Sequence, residues 1–184
     1  MEDKIHKEKS CISNHSSKDV TFEALIDEFE WQVTKYAYTY VKDWSTAQDI
    51  TQEVFISIYN SIEEFKHDSN YKTWVFSITS NRCKDYLRSA YFRRTFLTSR
   101  FFERSSLTSP ETSAIEIENQ SEIIQLVFSL PIKYREVIIL YYYEDFSTEE
   151  ISELLNVKSS TIRTRLERAR KKLKILQEGR MSHE

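Results

Sequence analysis

Between Lys158 and Lys174 the chain sets eight lysines and arginines against one acid, Glu167, a local charge of +7 in a protein of net charge −3. At about 100° per residue, Ile162, Leu166, Ala169 and Leu173 align on one stripe that must face a core. Thr164, Glu167, Arg168 and Lys171 lie opposite, flanked by Arg163, Arg165, Arg170, Lys172 and Lys174. Guanidinium groups can grip phosphates or the paired acceptors of a guanine edge, so such a face suits the major groove of duplex DNA. The plainer alternative is a basic terminal helix that complements its own dipole. That alternative leaves the preceding residues unexplained.

Those residues read Phe146-Ser147-Thr148-Glu149-Glu150-Ile151. Ser147 can accept from the Glu150 amide while the Glu150 side chain returns to the Ser147 amide, and Phe146 and Ile151 flank this box as a hydrophobic staple. A short helix through Leu154 and Leu155 then stops at Asn156, which tolerates the left-handed conformation. Val157 fills the corner, Ser159 can cap again, and a second helix starts near Ser160. Two short helices joined by a tight turn make a helix-turn-helix, whose second helix would be the basic one.

Composition points to helices throughout. The 184 residues include one glycine (Gly179) and two prolines (Pro110 and Pro131), which leaves little room for hairpins and excludes a glycine-rich phosphate loop. Cys11 and Cys83 do not make a disulfide framework, and the polar N-terminus is unlike a signal peptide. The longest apolar run, Val137 to Tyr143, is seven residues and too short to span a bilayer. A soluble, cytoplasmic protein without membrane insertion is expected.

Charge is segregated along the chain. Residues 1–21 read as a mobile tail; His6, Cys11 and His15 are too scattered there to suggest a metal site. Phe22, Leu25, Ile26, Phe29, Val33, Tyr36, Ala37 and Tyr40 predict an amphipathic helix over 22–42. A second helix should start at Ser45, boxed by Gln48, and bury Ala47, Ile50, Val54, Ile58 and Ile62. Asp49, Gln52, Glu53 and Ile56 then face outward. Residues 22–64 hold nine acids and two bases. This surface repels DNA and suits a protein partner, or simply solvent. After a polar break at 66–70, a third helix from Tyr71 into the nineties places Val75, Ile78, Arg82 and Tyr86 at helical spacing. Trp74, Ser77, Asn81, Lys84 and Arg88 share one side. Residues 65–104 hold nine bases and three acids. Rings with cations suit unstacked nucleotides, although a buried Trp74 fits the spacing equally. The aromatic and basic stretch Tyr91–Arg104 could line a nucleic-acid path or extend the helix. Residues 97–121, rich in serine and threonine, read as a flexible linker, and a second helical unit follows from Ser121.

The order of these parts resembles the extracytoplasmic-function group of sigma factors in the sigma-70 family. Asp49-Ile50-Thr51-Gln52-Glu53-Val54-Phe55 is similar to the family's D-x-x-Q-E-x-F helix. Phe65, Trp74-Val75, Ile78-Thr79, Asn81, Asp85 and Leu87-Arg88 follow its next run. Leu130-Pro131, Arg135-Glu136-Val137 and the stretch Ser159 to Leu173 are similar to its C-terminal part. Asn156 departs from the usual glycine, and Thr79 from alanine. The resemblance implies an all-α fold of two small domains, 22–96 (region 2-like) and 122–178 (region 4-like), with a linker at 97–121 and a tail at 179–184.

It further implies transcription initiation with no catalysis, cofactor or metal. Asp49, Gln52, Glu53 and Phe55 would dock on the β′ clamp helices of core RNA polymerase. Lys66, Asn70, Tyr71, Lys72, Trp74, Asn81, Lys84 and Arg88 would capture the minus-10 element. Ser160, Thr161, Arg163, Thr164, Glu167, Arg168 and Lys171 would read the minus-35 element as duplex, near the β flap. The linker would thread toward the polymerase active-site channel. An anti-sigma factor, often membrane-bound in the family, is an expected partner.

Two rival classes stand beside this reading. A stand-alone helix-turn-helix regulator would dimerise on a palindrome, yet no dimerisation helix is evident. A helical adaptor without a DNA role would lack salt-dependent DNA binding. Cys83, next to Lys84, reads as a reactive thiol or, more simply, as a small core residue.

Overall fold

The computed structural model describes residues 17–65, 70–98 and 122–181, and every regular element in them is helical. Helix α1 spans Ser17–Val41. Helix α2 spans Trp44–Ser61 and ends in a 3-10 turn at Ile62–Glu64. Helix α3 spans Tyr71–Thr98. Four further helices follow: α4 (Glu122–Ser129), α5 (Ile132–Tyr142), α6 (Thr148–Leu155) and α7 (Ser159–Met181).

With one glycine to spend, the chain reverses on other residues. Lys42, Asp145 and Asn156 take positive φ of 58°, 56° and 51°. Asp and Asn bear this strain at low cost because their short polar side chains bond locally. At Lys42 the reversal is followed at once by Asp43, whose carboxylate accepts from the Thr46 amide at 2.8 Å and its hydroxyl at 2.6 Å. Asp43 therefore caps α2, in place of the expected Ser45–Gln48 box. An ionised carboxylate beside the helix amides is a stronger acceptor than a serine hydroxyl, and those bonds hold its pKa below the ordinary value.

Helix α1 begins at Ser17, inside the stretch read as tail. Side chains explain the extension: Lys18 sits 4.4 Å from the Tyr59 ring centroid and 3.4 Å from Glu63, and the Tyr59 hydroxyl donates to Asp19. Helices α1, α2 and α3 then close a three-helix bundle. The predicted stripes bury as expected: Leu25, Phe29, Val33, Tyr36, Ala37 and Tyr40 from α1, and Ala47, Ile50, Val54, Ile58 and Ile62 from α2. Helix α3 buries more than the spacing of Val75, Ile78, Arg82 and Tyr86 indicates. Val75 is buried, but Arg82 stays at the edge, donating to Ser57 Oγ at 2.9 Å and lying 3.6 Å from Glu53. Phe76, Thr79, Ser80 and Cys83 are fully buried as well.

The second unit accounts for that difference. Its helix α5 is buried along Tyr134–Leu140, and α6 and α7 pack against it. Helix α6 also packs on α3, and α5 on α1, so the two units meet along a seam. Phe76 of α3 lies edge-on to Phe146, with ring centroids 5.3 Å apart, and Tyr38 of α1 meets Phe128 at 5.6 Å. The seam leaves the outer face of α2 uncovered, where Asp49, Gln52, Glu53 and Ile56 are exposed. Residues 99–121, which include most of the expected linker, lie outside the described residues, as do His6, Cys11, His15 and Lys66.

The helix-turn-helix forms as its spacing predicts. Ser147 N donates to Glu150 Oε2 at 2.8 Å, Glu150 N to Ser147 Oγ at 3.2 Å, and Phe146 and Ile151 are both buried. Asn156 N and Val157 N satisfy the last carbonyls of α6. Only the second cap differs: Ser159 opens α7, but its hydroxyl turns to Glu149 Oε1 at 3.2 Å. Replacing Ser147 by Ala should cost about 1 kcal/mol in urea unfolding, the ordinary worth of such a cap. Asn156→Gly should cost nothing. An unchanged midpoint for Ser147→Ala would remove the box from the account of α6.

Candidate nucleic-acid interface

Helix α7 presents its two sides as the periodicity requires. Ile162, Leu166 and Ala169 are buried and Leu173 is half-buried. Ser160, Thr161, Arg163, Thr164, Glu167, Arg168 and Lys171 are all exposed, on a face that no other described element covers. Several of these side chains are held in place. Arg163 Nη2 donates to Glu149 Oε1 at 2.7 Å, across the turn from α6. Lys171 Nζ donates to Glu167 Oε1 at 2.7 Å, one helical turn away. Thr164 Oγ1 donates to the Ser160 carbonyl, and Arg170 Nε to the Tyr142 hydroxyl. Bonds from Thr148 and then Arg163 and its own amide bring the Glu149 carboxyl down to about 2, despite full exposure.

The residues expected to meet unstacked bases behave less uniformly. Asn70 is exposed, but its Oδ1 accepts from Lys72 N at 2.7 Å and so caps α3. Tyr71 stacks on Phe65 at 4.5 Å, and Trp74 packs on Phe65 at 4.8 Å, which makes a half-buried aromatic cluster. Asn81 and Arg88 are exposed, the latter donating to Asp85 at 3.0 Å. Lys72 and Lys84 point into the seam: Lys72 Nζ donates to the Glu144 carbonyl at 2.6 Å, and Lys84 Nζ lies 3.2 Å from Glu136 Oε2. Ring and cation do share one side of α3, but both lysines are engaged by the other unit.

Glu136 was not singled out for a role by sequence, although it stands inside the Arg135-Glu136-Val137 run. It is 4% exposed, and both its oxygens are occupied. Tyr40 donates its hydroxyl to Oε2 at 2.9 Å, and Arg165 of α7 donates to Oε1 at 2.9 Å. Arg135 beside it is equally buried and donates to the Thr39, Phe128 and Leu130 carbonyls. An adjacent Arg and Glu leading straight into the apolar run Val137–Leu140 was the available signal, since buried charges need partners on several elements. Burial and nearby Glu136 raise the Tyr36 hydroxyl well above its usual pKa, and burial with Tyr36 and Glu136 does the same for Tyr40.

On α2, Asp49, Gln52 and Glu53 are exposed, but Phe55 is 7% exposed, edge-on to Phe22 at 6.3 Å. It reaches solvent only as part of a shallow cleft with Phe22, Gln52, Ile56 and Tyr59. Cys83 is fully buried, and burial pushes its thiol up to about 12, which leaves no thiolate at neutral pH.

Residues 25–93 match the description Sigma-70 region 2, and residues 120–173 match Sigma-70, region 4. The chain belongs to the sigma-70 family. Among its curated relatives, the extracytoplasmic-function RNA polymerase sigma factor SigW of Bacillus subtilis is 29% identical over 163 residues, covering 83% of this chain and 87% of SigW. SigX of the same organism is 29% identical over 173 residues, covering 89% of each chain. The sigma factor RpoE of Bartonella quintana, solved with the anti-sigma factor NepR, superposes with a TM-score of 0.69 at 21% identity, over 86% of this chain and 97% of that one. CnrH, solved with the cytosolic domain of CnrY, gives 0.63 at 21% identity, over 86% and 88%. This sigma factor is an extracytoplasmic-function RNA polymerase sigma factor, with regions 2 and 4 on one helical chain. An independent helix-turn-helix regulator is disfavoured, because the region 2 match has no place in it. No helix among the described residues is long and apolar enough to cross a membrane.

The Glu149–Arg163 pair can be tested by titration. Arg163→Gln should raise the Glu149 carboxyl part of the way from about 2 toward its ordinary 4.5, the Thr148 bond keeping the remainder depressed. Because the folded value lies below the unfolded one, the pair's small stabilisation is complete above the unfolded pKa and is lost as pH falls through the folded value. Carbon-detected NMR reads the carboxyl directly, and an unmoved titration would show that Arg163 is not held there in solution.

Proposed function

We propose that this sigma factor grips core RNA polymerase through the outer face of α2 and reads promoter DNA at two separated elements. The observation that carries the reading is the partition of charge onto separate exposed faces. Asp49, Gln52 and Glu53 offer acids and an amide to a protein partner, with the edge of Phe55 in the neighbouring cleft, and fit the β′ clamp helices. The exposed row Ser160, Thr161, Arg163, Thr164, Glu167, Arg168 and Lys171 fits the duplex minus-35 element. Arg163 and Arg168 would donate to guanine or phosphate, and Glu167 would accept from a cytosine amino group. Exposed Ile123, Tyr142, Tyr143, Ile175 and Leu176 lie on and beside a shallow apolar cleft that suits the β flap.

The minus-10 element falls to Asn70, Tyr71, Lys72, Trp74, Asn81, Lys84 and Arg88, together with Lys66. Extruding a base costs a few kcal/mol of pairing and stacking, which aromatic and amide groups in a shaped site must offset. The chain works by binding rather than catalysis, and acts in the cytoplasm. A membrane-bound anti-sigma inhibitor would cover these faces until a signal arrives.

Run-off transcription with purified chain and core polymerase on a genomic promoter library tests the whole reading; no initiation above core enzyme alone would refute it. Within that assay, Arg168→Ala should weaken promoter use by about 1–3 kcal/mol if its contact is bidentate to guanine. Unchanged output would take Arg168 off the reading face. Asp49→Lys combined with Glu53→Lys should abolish pull-down of core polymerase while circular dichroism reports intact helices. Retained pull-down would move the docking face elsewhere.

A further inference from the structure

Region 4 holds, in Glu136 and Glu144, two acids whose cross-seam partners are the region 2 lysines proposed for the minus-10 strand. Lys84 Nζ lies 3.2 Å from Glu136 Oε2, and Lys72 Nζ donates to the Glu144 backbone at 2.6 Å with the Glu144 carboxylate 4.0 Å away. The same Glu136 oxygen accepts from Tyr40, which in turn bonds Tyr36 at 3.0 Å and Ser80 at 3.3 Å. A carboxylate and a DNA phosphate compete for the same ammonium, so a lysine held by Glu136 is withdrawn from nucleic acid. We infer that Glu136 is an internal lock: it closes region 4 onto region 2 and, in the free chain, stands in for the phosphates that Lys84 and Lys72 would otherwise bind. This inference rests on the proposed minus-10 assignment of those lysines and adds its regulation.

The lock opens with its two most buried charges still partnered. Glu136 keeps Arg165, which belongs to its own unit, when Tyr40 and Lys84 leave. Arg135 gives up the Thr39 carbonyl across the seam but keeps those of Phe128 and Leu130. Lys72 and Lys84 are about one-third exposed and can turn to water. Removing one partner from a buried pair is costly when the other is left bare. Glu136 and Arg135 each retain a local partner in the open form, while Glu144, which loses Lys72, returns to water, and this brings the two states closer in free energy. The α2 face proposed above for polymerase lies outside the seam, so docking there does not by itself require Glu136 to release Lys84.

The test uses the full chain with dyes at Asn60→Cys and Gln177→Cys, both exposed and one on each unit, with Cys11 replaced by Ser and buried Cys83 retained. Glu136→Gln should shift the open-to-closed ratio about tenfold, as expected for losing hydrogen bonds to a charged group, and energy transfer should fall. Binding of a short labelled oligothymidine at low salt should tighten in parallel. Glu136→Gln also takes the charge partner from Arg165, so Tyr40→Phe, which keeps the ring and removes one cross-seam donor, is run beside it. It should give a smaller change of the same sign, and thermal melts confirm that both variants fold. Unchanged energy transfer in both folded variants overturns the lock. Energy transfer that falls without tighter oligothymidine binding leaves the seam contact standing, but overturns the masking of Lys84 and Lys72 together with their minus-10 assignment.

Discussion

A guanidinium and a carboxylate, adjacent on one helix and both out of water, set the terms for the rest of the structure. Neither Arg135 nor Glu136 can be solvated in the closed form, so each must find partners from whatever surrounds α5. Those partners come from α1, α3, α4, α7 and the turn before α5. An apolar α5 would pack against any greasy surface in several rotations. The charged pair accepts only an arrangement that brings Tyr40, Lys84, Arg165 and three backbone carbonyls to fixed distances. Such burial adds less to net stability than its short bonds suggest, because desolvation offsets much of the attraction. Its effect here is on which faces meet.

That selectivity reconciles the acidic balance of the whole chain with a function that demands gripping DNA. The acids concentrate on α1 and α2, the bases on α3 and α7. With a pI near 5.9, the protein as a whole is not drawn to duplex nucleic acid at neutral pH. Two of the cations on α3, Lys72 and Lys84, are engaged across the seam, while among the described residues α7 carries the longest exposed basic row. Affinity for DNA can then depend on an encounter that separates the units or supplies a second anchor.

Much of this was legible in the residues. The stripes of α1 and α2 follow a period of 3.6 and bury as read. The Ser147–Glu150 box and the left-handed Asn156 are local events, governed by residues three to five apart. The exposed row on α7 follows from the same period once Ile162, Leu166 and Ala169 are given a core. The rest was also physical. Asp43 outcompeted Ser45 for the start of α2, because an ionised acceptor beats a hydroxyl when both are in reach. Phe55, whose exposure the residues left open, packs beside Phe22, because a ring on the flank of an apolar stripe gains from burial.

The sequence by itself determined the helices, most of their ends, the sign of each surface and the family to which the chain belongs. All of these depend on neighbours within a turn or two of helix, or on the summed charge of a segment. Tertiary structure alone decided what Lys72, Lys84, Glu136 and Phe76 do. Their partners lie tens of residues away, and no periodicity within α3 or α5 records which foreign helix will arrive. A lysine on a polar face looks the same in one dimension whether it meets a phosphate, water or a buried carboxylate. Only packing brings the carboxylate to it.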